Sequence, residues 1–234
     1  MGQEHIYKQF DADLEAVRSR VLQMGGLVEE QIAFAVEALS TGNIQLAEQV
    51  IANDHRVNAL EVGIDEDCIL IIARRQPTAS DLRIVMMIVK TITDLERIGD
   101  EAAKIARMTK RVHESNRIAT PRFTEIKYMS GQVLEMLRKA LDAFARLDPS
   151  AAAQIARQDM EVDEEFRLVL RHLITYMMED PRNISMFLEI LFAAKAVERM
   201  GDHAKNMAEY VVYMVKGKDV RHTSVEEIER EASK

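Results

Sequence analysis

The sequence predicts an all-α protein in which one helical unit is used twice, and three observations carry that reading. Its 234 residues include 9 Gly, 4 Pro, no Trp and only 5% aromatics. Sheet proteins draw on aromatic and β-branched residues, whereas this chain draws on the helix formers Ala, Leu, Ile, Met, Glu and Arg. All four prolines fall between long stretches of helical periodicity. The pentapeptide ERIGD at 96–100 returns as ERMGD at 198–202.

Punctuation and periodicity divide the chain into six long helices. The first runs over 4–40, with Gly25-Gly26 as its weak point, and Thr41-Gly42-Asn43 supplies a stop and a new N-cap. The second runs over 44–74 and is broken by Gln76-Pro77-Thr78. Thr78 with Asp81 three residues on resembles a capping box opening the third helix, 79–113. Residues 115–120 are polar and read as a linker, after which Thr120-Pro121 looks like an N-cap with proline at the first helical position. The fourth helix extends to 146. Asp148-Pro149 repeats the signal and opens the fifth, to 179. Asp180-Pro181 stops that helix, and the sixth covers 183–216. After Gly217 the tail is charged, and 225–230 reads as a frayed helix or a disordered stretch. The domain organisation expected is a first three-helix repeat at 1–116, a second at 117–217 and a charged tail at 218–234.

The totals exclude several classes. A net charge of −8 argues against a general nucleic-acid binder, which needs an excess of Lys and Arg to neutralise phosphates. Cys68 is the only cysteine, so no intrachain disulfide can form, which fits a reducing cytoplasm. The start lacks the basic stretch and apolar run of a secretory signal. The greasiest runs, 68–73 and 84–89, are far shorter than the roughly 20 apolar residues that span a bilayer. A cytoplasmic protein is expected, with membrane association only through partners.

The repeat extends beyond the pentapeptide. Glu198 lies 102 positions after Glu96, and Asp202 lies 102 after Asp100. Upstream, residues 47–58 resemble 152–163 with a shift of 105, so Asp159 answers Asp54. In the third helix, positions 85, 88, 92, 95, 99, 102 and 106 form a stripe of apolar or small residues, and adding 102 gives such a stripe in the sixth. Spacings alternating between 3 and 4 mark the packing seam of a helix bundle. Two pseudo-symmetric three-helix bundles are therefore expected, each with its own core. A mid-helix Gly costs about 1 kcal/mol relative to Ala, so Gly99 and Gly201 at one seam position predict close backbone approach there.

Chemistry-bearing residues lie beside that seam. Glu96 and Asp100 are four apart and share a helix face, as do Glu198 and Asp202. The second helix adds Asp54, Glu61 and Asp65 on one face, with Asn58 between them, and the fifth keeps Asp159 and Asp163 before Phe166 and Leu170. Carboxylate clusters between helices suit Mg, Mn, Ca or iron. The competing reading is a solvated face on which these acids pair with Arg97, Arg199, Lys104 and Lys195. A di-iron enzyme of the ferritin type needs Glu-x-x-His pairs, and no histidine has Glu three residues before it. His203 reads as a surface or capping residue, with an outer-ligand role as the alternative. Neither a phosphate-cradling Gly-rich loop nor a nucleophile elbow is present, and no catalytic residue is assigned. Cys68 reads as an inert core residue, and the 14 Met as mostly core filler.

The segment RRQPTASDLRIVMMIVKTITDLERIGDEAAKIA at 74–106 resembles the PhoU family, and AVERMGDHAKNMAE at 196–209 is similar to that family's repeated motif. The resemblance covers nearly the whole chain. It implies a cytoplasmic helical regulator of phosphate homeostasis, often dimeric, that restrains phosphate uptake and the phosphate-starvation response. It would act with the Pst transporter through the ATPase PstB and with the sensor kinase PhoR. Some members carry metal clusters on Glu/Asp-x-x-x-Asp motifs. Those motifs correspond here to Glu61 and Asp65, Glu96 and Asp100, Asp159 and Asp163, and Glu198 and Asp202. Divalent or iron-type metal ions are the cofactors so implied, and Phe166 in the place of Glu61 makes equal sites in the two halves doubtful. The expectation is a non-enzymatic homodimeric adaptor. The alternatives are a metal store or metal-dependent enzyme, and a purely structural helical spacer.

Overall fold

The structure is a computed structural model and describes residues 2–114 and 123–233. The linker 115–120 and the Thr120-Pro121 N-cap expected from sequence lie outside the described residues. Among those described there are seven α-helices and no strand.

Helix α1 (Gly2–Thr41) runs unbroken through Gly25-Gly26. Gly25 is not a weak point but a crossing point. A Cβ there would stand 2.6 Å from Leu141 Cδ2, so its bare backbone lets the fourth helix approach. Gly42, with φ of 71°, turns the chain, and Asn43 caps α2 (Ile44–Arg75) by accepting a bond from Leu46 N at 3.0 Å. Gln76 ends α2 in the left-handed region, its N–H bonded to Ile72 O, and Pro77 follows. In place of a reciprocal capping box, Thr78 Oγ1 donates to Asp81 Oδ2 at 3.3 Å as α3 (Ala79–Glu114) begins.

Helix α4 (Thr124–Arg146) ends on Leu147 in the left-handed region. The two Asp-Pro pairs each form a 3-10 turn before the next helix. Asp148 accepts from Ser150 N ahead of α5 (Ala152–Glu179), and Asp180 accepts from Arg182 N ahead of α6 (Ile184–Lys216). Beyond Gly217 the tail is ordered. Ser224 caps α7 (Val225–Ala232), which packs on α5 and α6 with Val220 and Ile228 fully buried. Ion pairs from Lys218 to Glu231 and from Arg157 to Glu229 hold it in place.

Helices α1, α2 and α3 pack on one another, as do α4, α5 and α6, and the most extensive helix pairing in the fold joins α3 to α6. Every residue of the two seams is buried, and Gly99 and Gly201 face their own units' helices. Expecting a separate core in each half misses a second buried stripe on α3: Met87, Thr91, Asp94, Ile98, Glu101, Ile105, Thr109 and Val112. Its charged members meet α6. Asp94 Oδ1 lies 2.6 Å from His203 Nδ1, and Glu101 accepts from Arg199 at 3.1 Å and from Lys104 at 2.9 Å. With Arg111–Glu189 at 2.9 Å, these contacts run in opposite directions along the two helices, so α3 and α6 are antiparallel. One apolar core therefore runs through both units.

The neighbouring glycines of α1 give opposite expectations. Gly25→Val should destabilise the fold by about 1–3 kcal/mol, since Leu141 must move. Gly26→Ala meets nothing within 4 Å and should stabilise it by roughly 1 kcal/mol. Urea unfolding of the two variants checks both signs.

Candidate functional site

Each unit carries an acidic row where its second helix meets its third. In the first unit α2 supplies Asp54, Glu61 and Asp65, and α3 supplies Glu96 and Asp100. The five share one electrostatic field. Burial raises the pKa of Asp54, and Asp100 raises it further against Arg107 and Gln31. Burial likewise lifts Glu61, opposed by the neighbouring Thr93 and by Arg97, with Asp65 and Asp100 adding to the rise. Glu96 is raised by burial, then by Asp100 and Glu61, and Arg97 lies 3.6 Å away against it.

Gln31 of α1 is a member of this site that the acidic spacing does not reveal. It is buried against Gly99, where a Cβ would stand 3.0 Å from its Oε1 and 3.8 Å from Asp54 Oδ1. Gln31 favours the ionised form of Asp54. Yet Gln31 Oε1, Gln31 Nε2 and Asp54 Oδ1 are all closed off from solvent without a hydrogen bond inside the protein. The glycine is what admits a polar side chain here. The available signal was Gln31's place in the apolar stripe of α1, at Val17, Val21, Met24, Val28, position 31 and Ala35.

The second unit brings together Asp159 and Asp163 of α5 with Glu198 and Asp202 of α6. Asp159 is buried, and Lys205 Nζ donates to its Oδ2 at 2.9 Å. Burial raises Asp159, Lys205 opposes this, and Asp163 adds to it. Glu198 is buried and pairs with Lys195, whose ammonium also sits 5.3 Å from the centre of the Phe166 ring. Asp202, at the outer edge, is pushed up to about 6 by desolvation and by Asp159, Glu198 and Asp163, against Lys205.

Of the ion pairs expected on a solvated face, Arg97 with Glu96 and Lys195 with Glu198 form, while Lys104 and Arg199 both turn to Glu101. His203 is no cap: it sits partly covered in the α3–α6 joint, with its Nδ1 against Asp94. Among the described residues no three His, Cys, Asp or Glu side chains converge closely enough to hold a metal ion. The donor chemistry of the first row, five carboxylates with little cationic compensation, still suits a hard cation. The second row has two ammonium groups already in place. Elsewhere, a cavity of about 290 Å³ opens between α1 and α2, lined by Gln9, Asp13, Asp67, Arg74 and Arg75, and its Arg75 is taken by Asp13 at 2.9 Å.

Two copies of a three-helix unit, joined along their third helices, define a duplicated helical-bundle protein. The family model described as the PhoU domain matches it twice, at residues 21–109 and 126–211. The phosphate-specific transport system accessory protein PhoU homolog of Pseudomonas aeruginosa is 50% identical over 228 residues, 97% of this chain and 93% of the relative. The accessory protein PhoU of Escherichia coli K12 is 45% identical over 227 residues, with 97% and 93% covered. The crystal structure of PhoU from Pseudomonas aeruginosa superimposes with a TM-score of 0.85, over 89% of this chain and 100% of that one, at 50% identity. That of the phosphate transport system regulatory protein PhoU from Streptococcus pneumoniae gives 0.82 over 90% and 99%, at 31% identity. The chain belongs to the PhoU family.

Beside the second row, Glu209 is buried and its carboxyl is raised to about 7, by burial first and then by Asp159 and Asp219, against Lys205 and Arg221. Its ordinary value is 4.5, so folding takes up a proton between the two. Stability should therefore fall as pH rises from about 5 to about 8, the reverse of the trend set by groups such as Asp219, which is lowered to about 2. Asp202 adds to this slope at its lower end. Glu209→Gln should flatten the profile, as measured by urea unfolding across that range.

Proposed function

We propose that this chain is an accessory regulator of phosphate transport that works by binding proteins rather than by turning over a substrate. The observation that carries this reading is the likeness, over nearly its whole length, to accessory proteins of phosphate-specific transport systems. The partners in this reading are the transporter ATPase PstB and the sensor histidine kinase PhoR, and the effect is negative control of uptake and of the starvation response. The protein acts in the cytoplasm as a homodimer and reaches the membrane through its partners. Among the described residues no helix is long and apolar enough to cross a membrane. Met178, Met160 and Phe192 are each more than half exposed, which favours a protein-contact role for the outer faces of α5 and α6. Affinity capture from cells grown at high phosphate should recover both partners. Recovery of neither would overturn the adaptor reading.

A second reading concerns the first acidic row. Its mutual repulsion and the unsatisfied atoms of Asp54 and Gln31 favour a divalent or iron-type cation held from among Asp54, Glu61, Asp65, Glu96 and Asp100. The cation would neutralise the row and draw α2 and α3 together. Glu96→Ala with Asp100→Ala should lower the metal content of protein purified without chelator and leave its helical circular dichroism intact. Unchanged metal content would move the site elsewhere.

A further inference from the structure

We infer that the acidic row of the second unit is closed by two lysines of its own chain and takes no metal ion, so that cation binding belongs to the first unit alone. The inference rests on the reading of the first row as a cation site.

It comes from comparing equivalent positions in the two units. On the third helices, related by a shift of 102, Lys195 answers Thr93 and Lys205 answers Ala103. On the second helices, related by a shift of 105, Phe166 answers Glu61 and Leu170 answers Asp65. The second unit therefore loses Glu61 and Asp65, gains Asp163 in the place of Asn58 and Glu209 in the place of Arg107, and gains two ammonium groups inside the row.

The exchanges are matched in space. In the first unit Thr93 stands beside Glu61 and favours its ionised form. In the second, the same two positions hold Lys195 over the face of Phe166, a cation–π contact, while the ammonium bonds Glu198. The residue that removes a metal donor thus helps to seat the lysine that replaces the metal's charge. Lys205 fills the other end of the row. Its ammonium donates to the buried Asp159 at 2.9 Å, and Asp159, Glu209 and Asp202 all favour its charged form. In the first unit Ala103 stands at that position and brings no ammonium to Asp54, on which Arg107 acts from the position that Glu209 takes in the second.

A hard cation needs several carboxylate oxygens with free lone pairs. An incoming metal would have to displace Lys205 from the buried Asp159 and Lys195 from Glu198 and the Phe166 ring. Lysine is the cheaper cation here, because it is covalently attached and cannot dissociate.

Mn²⁺ binding to the full chain, read by elemental analysis after dialysis and by the metal-induced rise in Tm, tests this. Asp159→Asn with Asp202→Asn should keep the wild-type Mn²⁺ content, whereas a drop by half or more would overturn the inference. Glu96→Ala with Asp100→Ala should abolish the Mn²⁺ response, and a response that survives there but vanishes in the Asp159, Asp202 variant would also overturn it. Adding Lys195→Thr and Lys205→Ala to the Glu96, Asp100 variant should create a new Mn²⁺-dependent rise in Tm. If wild type binds no Mn²⁺, the first-row reading falls and this lysine-free variant decides the second: a gained response supports the inference and no gain overturns it. Should that variant fail to fold, Mn²⁺ protection of the wild-type Asp159 and Asp202 carboxyls from carbodiimide labelling decides, with protection overturning the inference and equal labelling supporting it.

Discussion

The antiparallel pairing of α3 with α6 buries each of these helices on two sides, and the rest of the structure is arranged around that requirement. One stripe of α3 closes the first unit's own core, and the other meets the second unit. A helix buried on two sides cannot hide all its polar residues in solvent, so those that remain must be satisfied inside. Thr91 and Thr109 bond back to their own helix at Met87 O and Ile105 O. Asp94 is answered by His203, and Glu101 by Lys104 and Arg199. Charge-assisted bonds of this kind lose most when one partner is removed, since the other is left desolvated and alone. They also oppose sliding of one helix along the other, because a slip of one turn would separate both sets at once.

Much of the fold was legible because helix breaks are local chemistry. Asn43, Gln76-Pro77, Asp148-Pro149, Asp180-Pro181 and Gly217 act within a few residues of themselves, and the elements end where they stand. What the sequence concealed depends on distant residues. The second stripe of α3 contains Thr, Asp, Glu and Thr, so a hydrophobic pattern cannot display it. Gly25 reads as a weakness until Leu141, more than a hundred residues away, is set against it. The tail reads as solvated because Val220, Val225, Ile228 and Ala232 are scattered through a charged run, yet Ile228 and Val220 are enough to dock α7 when ion pairs flank them.

The candidate site was legible to a similar extent. Carboxylates at spacings of three and four must share a face, and both rows form as the spacing requires. Gln31 belongs to a third helix and escaped a search for acids, although a lone amide in an apolar stripe is visible in hindsight. Lys205 and Glu209 escaped for a different reason. A charged residue on a helix is ordinarily solvated, and only the packing of α5 against α6 reveals that Glu209 is buried and that Lys205 is turned onto the buried Asp159.

The shared core also settles what kind of motion this molecule can make. A protein of two separately cored units could swing them about the connection between α3 and α4. Here such a swing would lay bare Ile98, Ile105 and Met200, all without solvent contact in the folded chain. The halves therefore behave mechanically as one beam, with α3 and α6 as its spine.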